Sequence, residues 1–455
     1  MPSARSASSA PSAASSAPSA SPSPWRDRDF RRLWLGQTAS QLGEHTSLVV
    51  LPLVAVLTLR ADAAQLGTLR AVGQAPILLF ALLAGAWVDR WRTRTVMVLT
   101  DAGRALALGG AAVAAVLGAA GLPLLLAVAF VVGTLSVFFD VAYQASLVRL
   151  VARDQLLRGN SALEGSRSAA QIGGPALGGA LVSVLSAPVG AAAGAVFFAV
   201  SFLSIRRIRR GESVPGRMER ADRVEGAGSA ARVWRRIHEG LRFVVRDPSL
   251  RAVGLASAAF QFSFAALMTG YLLFLPRDLG LSGTGIGLAL AATGPGALLG
   301  SLLAARLPRR FGYGTVLVGA AALGDGVLLC VPALHGPAAV TVPALLAVNF
   351  VFGVFGQLVN VTVMAVRQAV TPDGMQGRAA ATITFVGMGL TPLGSLLGGR
   401  LAEAWGPRTA LLVTALGMLA SPVLMALSPL ARLGRTLPAA QVPPGGAEVP
   451  PGARG

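Results

Sequence analysis

Two apolar runs, 66 to 88 and 95 to 117, are joined by one short charged segment, GAWVDRWRTR at 85 to 94. Each run is long enough to cross the roughly 30 Å of a bilayer's hydrocarbon as a helix, at about 1.5 Å of rise per residue. A spanning segment must satisfy its backbone hydrogen bonds internally, so runs of this kind become helices. The alternation recurs along the chain. With 53% hydrophobic and only 13% charged residues, the whole sequence lies outside the range of a soluble globular domain and reads as an all-α polytopic membrane protein. About twelve spans of roughly twenty residues use a little over half of such a length, leaving short loops and tails.

The net charge of +19 raises nucleic acid as a partner, but every basic residue is arginine and the arginines cluster between apolar runs. One set of alternate loops and tails holds 33 of the 39, whereas the opposite loops hold only Arg60, Arg277, Arg400 and Arg408, with Arg70 and Arg104 inside helices. The arginine-rich side is then the cytoplasmic side. Both termini are expected there, in a multi-pass protein of the inner (plasma) membrane whose partner is the lipid bilayer rather than nucleic acid. An even number of spans follows.

Cys330 is the single cysteine, and His45, His238 and His335 are scattered, so no metal site is expected. The glycines at 283, 285 and 287 lack the strand and spacing of a dinucleotide loop, and no P-loop appears. No cofactor and no enzymatic activity are expected.

Residues 1–24, rich in Ser, Ala and Pro, read as a disordered tail. Six spans fall near 33–59, 66–88, 95–118, 122–147, 168–186 and 188–205, closing a first half at 25–205. A polar stretch at 206–251 carries thirteen arginines, and Val233, Ile237, Leu241 and Val244 share one helical face there. It is expected to be a cytoplasmic linker with an amphipathic helix on the membrane surface. Six further spans near 252–275, 284–305, 314–334, 340–365, 379–401 and 408–428 make a second half at 252–430, before a Pro-rich tail at 431–455 that also reads as disordered. The halves echo one another. GSLLAARLPRR at 300–310 stands where GAWVDRWRTR stands, and GPALGG at 174–179 returns as TPLGSLLGG at 391–399.

The elbow resembles the Gly-x-x-x-Asp-Arg-x-Gly-Arg-Arg signature of the major facilitator superfamily. Gly85, Asp89, Arg90 and Arg94 match, while Arg92 and Thr93 replace glycine and arginine. The wording FRRLWLGQTAS, GAWVDR and FFDVAYQASL is similar to the branch that includes macrolide-efflux proteins and the enterobactin exporter. The resemblance implies twelve helices in two pseudo-symmetric six-helix halves, with the elbow as a cytoplasmic gate. Gly174, Pro175, Gly178 and Gly179 resemble the core of the superfamily's antiporter signature, with Ala170 in place of its leading glycine, and imply export. Tight helix packing explains the same glycines.

Glu44 lies about ten residues into the first span, hence roughly 15 Å deep. A charge there costs roughly 2.5 to 3.5 kcal/mol on insertion scales, and such residues usually face a cavity or a proton route. Gln37, Ser40, Gln41, Glu44 and Ser47 form one stripe at three- and four-residue steps, expected along a central cavity. Asp101 and Arg104 are one turn apart, close enough to pair. Asp140 shares a face with Ser136 and Tyr143, and an acid there is similar to one that pairs with elbow arginines in relatives; Arg92, Arg94 and Arg104 all qualify. Many proton antiporters of the superfamily bury an arginine in the fourth span, where this chain has none before Arg149. Asn349, Gln357 and Asn360 in the tenth span are further cavity candidates.

The expected function is a secondary exporter of lipophilic or amphipathic small molecules such as a drug, macrolide or siderophore-like compound. It is expected to work as a monomer and by proton antiport, with Glu44, Asp101, Arg104 and Asp140 as coupling groups. An importer, a proton-independent facilitator and a non-transporting sensor are the alternatives. The arginine distribution makes one outcome testable at once: a reporter fused after Leu430 should be active on the cytoplasmic side, and a periplasmic signal would break the twelve-span topology.

Overall fold

The computed structural model describes residues 24–88, 91–150, 156–208, 238–239, 241–372 and 375–436. Asp89, Arg90, Val233, Ile237, residues 1–23 and residues 437–455 fall outside it. Among the described residues the chain is helical and forms no strand. The first half is α1 (Arg28–Leu53), α2 (Ala63–Val88), α3 (Thr93–Val116), α4 (Leu122–Leu150), α5 (Leu156–Val184) and α6 (Ala187–Arg206). The second is α7 (Pro248–Arg277), α8 (Gly283–Ala291) running into α9 (Thr293–Ala304), the short α10 (Leu307–Phe311), α11 (Tyr313–Val327), α12 (Ala338–Val370), α13 (Gln376–Gly389), α14 (Thr391–Met418) and α15 (Ala420–Ala426). Within α14 the chain breaks at Gly406, whose φ of 81° an L side chain rarely adopts, and Pro407 starts the next helix. Among the described residues nine helices are long and apolar enough to cross a membrane, and the helix order, with both sides of that break counted, is consistent with twelve crossings.

Corresponding helices start alike. Asp27 caps α1 by accepting from Asp29 N at 2.8 Å, and Asp247 caps α7 by accepting from Ser249 N and Leu250 N at 2.9 and 2.8 Å. Three boundaries differ from expectation. Helix α5 begins at Leu156, twelve residues early, because Leu163, Ser166 and Ala170 bury one face while Glu164 and Arg167 pair at 3.7 Å on the exposed one. The linker's last turn is docked on the second half rather than laid on a surface, for Val244 is buried with Leu250 and Val253 whereas Leu241 is exposed. The start of the C-terminal tail is ordered: Tyr313 N and Gly314 N, at the first turn of α11, donate to Gly434 O and Leu433 O at 2.9 and 3.0 Å.

Paired glycines hold the helices together. On α5, Gly178 faces α1, where a Cβ would sit 3.0 Å from Thr46 O, and Gly179 faces α8, where a Cβ would sit 2.7 Å from Gly287 Cα. The second half repeats the device: Gly398 lies on Ala266 of α7, and Gly399 lies on α2, 2.9 Å from Gly67 Cα by the same measure. One glycine of each pair thus binds its own half and the next binds the other half. Ser183 and Thr284 hydroxyls meet at 2.8 Å in the same seam, and Arg277 donates to Ala61 O.

The apolar cores follow this seam. At the end away from the arginine-rich loops one continuous cluster joins both halves, from Val50, Leu53 and Leu66 to Leu272, Phe274 and Ile286. At the arginine-rich end the buried clusters are separate, one around Leu33, Met97 and Phe139 and another around Leu250, Leu317 and Val366. The molecule is sealed at one end and divided at the other. Gly67→Val and Gly399→Val should wedge α2 from α14 and lengthen the distance between spin labels at Asp62 and Asp278; an unchanged distance distribution would remove the glycine seam as the closing device.

Candidate functional site

A buried guanidinium organises the first half. Arg104, on α3, is fully enclosed, with its Cζ 4.4 Å from the centroid of Phe139 on α4 and 4.3 Å from that of Phe198 on α6. Two ring faces stabilise the cation where water cannot. Nη1 donates to Ser136 Oγ of α4 at 3.1 Å, and Nη2 donates to Ser40 Oγ of α1 at 3.0 Å and to the Asp101 carboxylate one turn away. Asp101 is as enclosed as Arg104, and it also accepts from Ser201 of α6 and Ser40 of α1. One ion pair therefore ties α1, α3, α4 and α6.

Glu44 stands at the rim of this cluster. Its carboxylate is 3.9 Å from Arg104 Nη1 and its side chain keeps a quarter of its surface open, against none for Asp101. The charges acting on Glu44 are Asp140, Arg104, Arg167 and Asp101, in that order. Asp140 itself faces Arg104 and Arg167. Of the three arginines expected for it, Arg104 is the one whose charge bears on Asp140, with no ion pair between them among the described residues; Arg94 donates to Arg206 O at the end of α6, and Arg92 is exposed as the N-cap of α3. Arg167 was not anticipated as a participant. The three- and four-residue spacing of Leu163, Ser166 and Ala170 is the sequence signal that α5 begins early enough to hold Arg167, which is itself exposed, on a helix beside the cluster.

Several expected cavity residues are not available to a ligand in this conformation. Gln37 and Gln41 are only 2% and 6% exposed, and Ser40 and Ser47 are turned into the helix packing, so of the α1 stripe only Glu44 stays open. The stripe's angular spread covers both the seam with α3 and α6 and the open side. Asn349 is taken up by Tyr271 Oη at 2.7 Å and Leu345 O at 2.9 Å. Gln357 packs its Cβ against Gly300, Tyr143 is partly buried, and Asn360 is exposed. In the signature-like turn of α5, Gly174 lies against His45 and its carbonyl accepts from Thr46 Oγ1 at 3.3 Å. Gly85 closes α2 within the described residues, whereas the gate residues Asp89 and Arg90 do not.

A family model described as transmembrane secretion effector matches residues 19–444. The chain belongs to this major facilitator family. The multidrug efflux pump Tap of Mycolicibacterium fortuitum is 28% identical over 83% of this chain and 90% of its own length. Tap of Mycobacterium tuberculosis H37Rv is 28% identical over 82% and 87%. Among solved structures, the nucleoside transporter NupG superposes with a TM-score of 0.68 at 13% identity, covering 87% of this chain and 98% of that one. An inward-facing bacterial homologue of ferroportin gives 0.66 at 18% identity over 88% and 98%. These structures share the fold of this major facilitator.

Removing one partner of a buried pair strands the other charge. Arg104→Met should therefore lower unfolding stability in detergent by about 3–5 kcal/mol, with Arg104→Met/Asp101→Asn recovering part of the loss. Additive losses in the double variant would show that the pair does not act as a unit.

Proposed function

We propose that this major facilitator exports lipophilic or amphipathic small molecules in exchange for protons. The observation that carries the reading is the imbalance at the rim of the Arg104 cluster. Glu44, Asp101 and Asp140 face two guanidiniums, Arg104 and Arg167, and the second is shared with Glu164. Full ionisation leaves a surplus negative charge in a low-dielectric interior, and a single proton reduces it. Asp101 is fully enclosed, whereas Glu44 and Asp140 are both partly open; Glu44, at 3.9 Å from Arg104 Nη1, is the one that exchanges that proton.

The buried arginine that many proton antiporters carry in the fourth span has a counterpart here on α3. Arg104 reaches Ser136 and Phe139 of α4, so the same neighbourhood holds a fixed cation. Export is supported by the relatives named as multidrug efflux pumps and by the sealing of the molecule opposite its arginine-rich loops. With those loops cytoplasmic, this conformation takes substrate from inside. A lipophilic partner is supported by the second half, where Phe260 and Phe264 of α7 stack with Phe352 of α12 at centroid spacings of 5.5 and 5.6 Å, all partly exposed.

The test is transport. In proteoliposomes Glu44→Gln should abolish pH-driven accumulation of an exported dye while sparing downhill exchange, and Glu44→Asp should keep part of the activity. Full pH-driven transport by the Gln variant would move the proton path away from Glu44.

A further inference from the structure

Arg70 takes no part in the Arg104 cluster. It sits on α2, nine residues before Leu79, and nine residues at about 100° each place the two on opposite faces of a helix. Leu79 is 54% exposed on the outside of the molecule, so Arg70 points to the interior. One turn to either side, Gly67 lies against Ser395 of α14 and Gln74 Oε1 accepts from Ser395 Oγ at 3.0 Å. Arg70 therefore flanks the seam between the halves. Counting from Ala63, it is about 10 Å below the sealed end by helical rise, against about 14 Å for Glu44 reckoned from the same end of α1.

Its guanidinium is unused. The residue is partly exposed, but Nε is shut off from solvent with no hydrogen-bond partner, and among the described residues no side-chain hydrogen bond or ion pair of Arg70 is formed. Arg104, by contrast, has two serines, a carboxylate, a second carboxyl and two aromatic rings. The closed seam does not need the cation either, since glycine contacts and the Ser395–Gln74 bond make it. An intramembrane arginine is costly to insert, and guanidinium presents a planar fork that matches an oxyanion with two parallel hydrogen bonds.

We propose that Arg70 is the docking group for an oxyanion substituent, a carboxylate, phosphate or sulfonate, on the transported molecule. The assignment rests on the export reading for the word transported and narrows its substrate class. Simple lipophilic cations are disfavoured by the unneutralised charge below the sealed end. Amphipathic acids and zwitterions are favoured, their apolar body meeting the aromatic ladder of Phe260, Phe264 and Phe352. A lipid headgroup would offer the same chemistry, but it would have to reach the face opposite Leu79.

Pyrenebutyrate and its methyl ester differ only in the anionic group and serve as probes. In titrations followed by the thermal unfolding of the purified full chain in detergent, the wild type should bind the acid about tenfold more tightly than the ester. Arg70→Lys should keep part of that preference, and Arg70→Gln should lose it with ester binding unchanged. Equal binding of acid and ester by the wild type would overturn the proposal without any variant. So would a preference surviving in Arg70→Gln, or stabilisation by phosphatidylglycerol and not by the acid. If Arg70→Gln does not fold, the wild-type and Arg70→Lys ratios decide. pH-driven transport of both probes separates the two readings: a wild type that prefers the acid yet moves neither probe defeats export alone, whereas one that moves the ester and lacks the preference defeats Arg70 alone.

Discussion

In a bilayer one apolar helix face is as well solvated by lipid as by another helix, so association depends on how closely backbones approach. This chain meets that condition with glycine pairs. Gly178 and Gly179 on α5, and Gly398 and Gly399 on α14, let each of these helices lie almost backbone to backbone on one helix of its own half and one of the other. The shared apolar cluster at the sealed end forms only because those contacts bring the halves together. Where they run out, toward the arginine-rich loops, each half keeps its own core. The same seam thus supplies cohesion and the place at which the halves can part.

Charge is distributed across this frame unequally. The first half buries Arg104 and Asp101 between two phenyl rings and three serines, an arrangement in which every helix that touches the pair is held by it. Breaking one member exposes the other to an interior that cannot solvate it, so the pair acts as a rigid anchor. Glu44 is attached to the anchor and yet partly open. Among the described residues the second half has no such buried pair; it has stacked aromatics and a tyrosine–asparagine bond. A half with a partly open carboxyl beside a buried ion pair faces a half with stacked aromatic rings.

Much of this was legible in the residues. The all-helical membrane fold and the glycine motifs repeated between the halves follow from apolar run length and from local spacing, because helix length and backbone satisfaction are local requirements. The Asp101–Arg104 pair was legible for the same reason, being one helical turn apart. Asp140's neighbour was not, since Arg92, Arg94 and Arg104 are equivalent until the helices are placed, and α6 claims Arg94 through its terminal carbonyl. Nor were Phe139, Phe198 and Ser201 as parts of the site, for aromatics and serines in apolar helices carry no spacing that marks them. Asn349 shows the converse, a polar residue that looked free and is consumed by Tyr271.

By itself the sequence determined that this protein is a bundle of membrane-crossing helices in two related halves, with a carboxyl near the middle of the first helix and an asymmetric distribution of arginine. These depend on hydropathy, helical rise and repeat, which act within a few turns of chain. Tertiary structure decided which end is sealed, that Glu44 meets Arg104, that Glu44 alone of its stripe stays open, and that Arg70 Nε has no partner among the described residues. Each of these is a relation between helices far apart in the chain. Burial and electrostatics are set by what lies across the gap, and no local pattern encodes that.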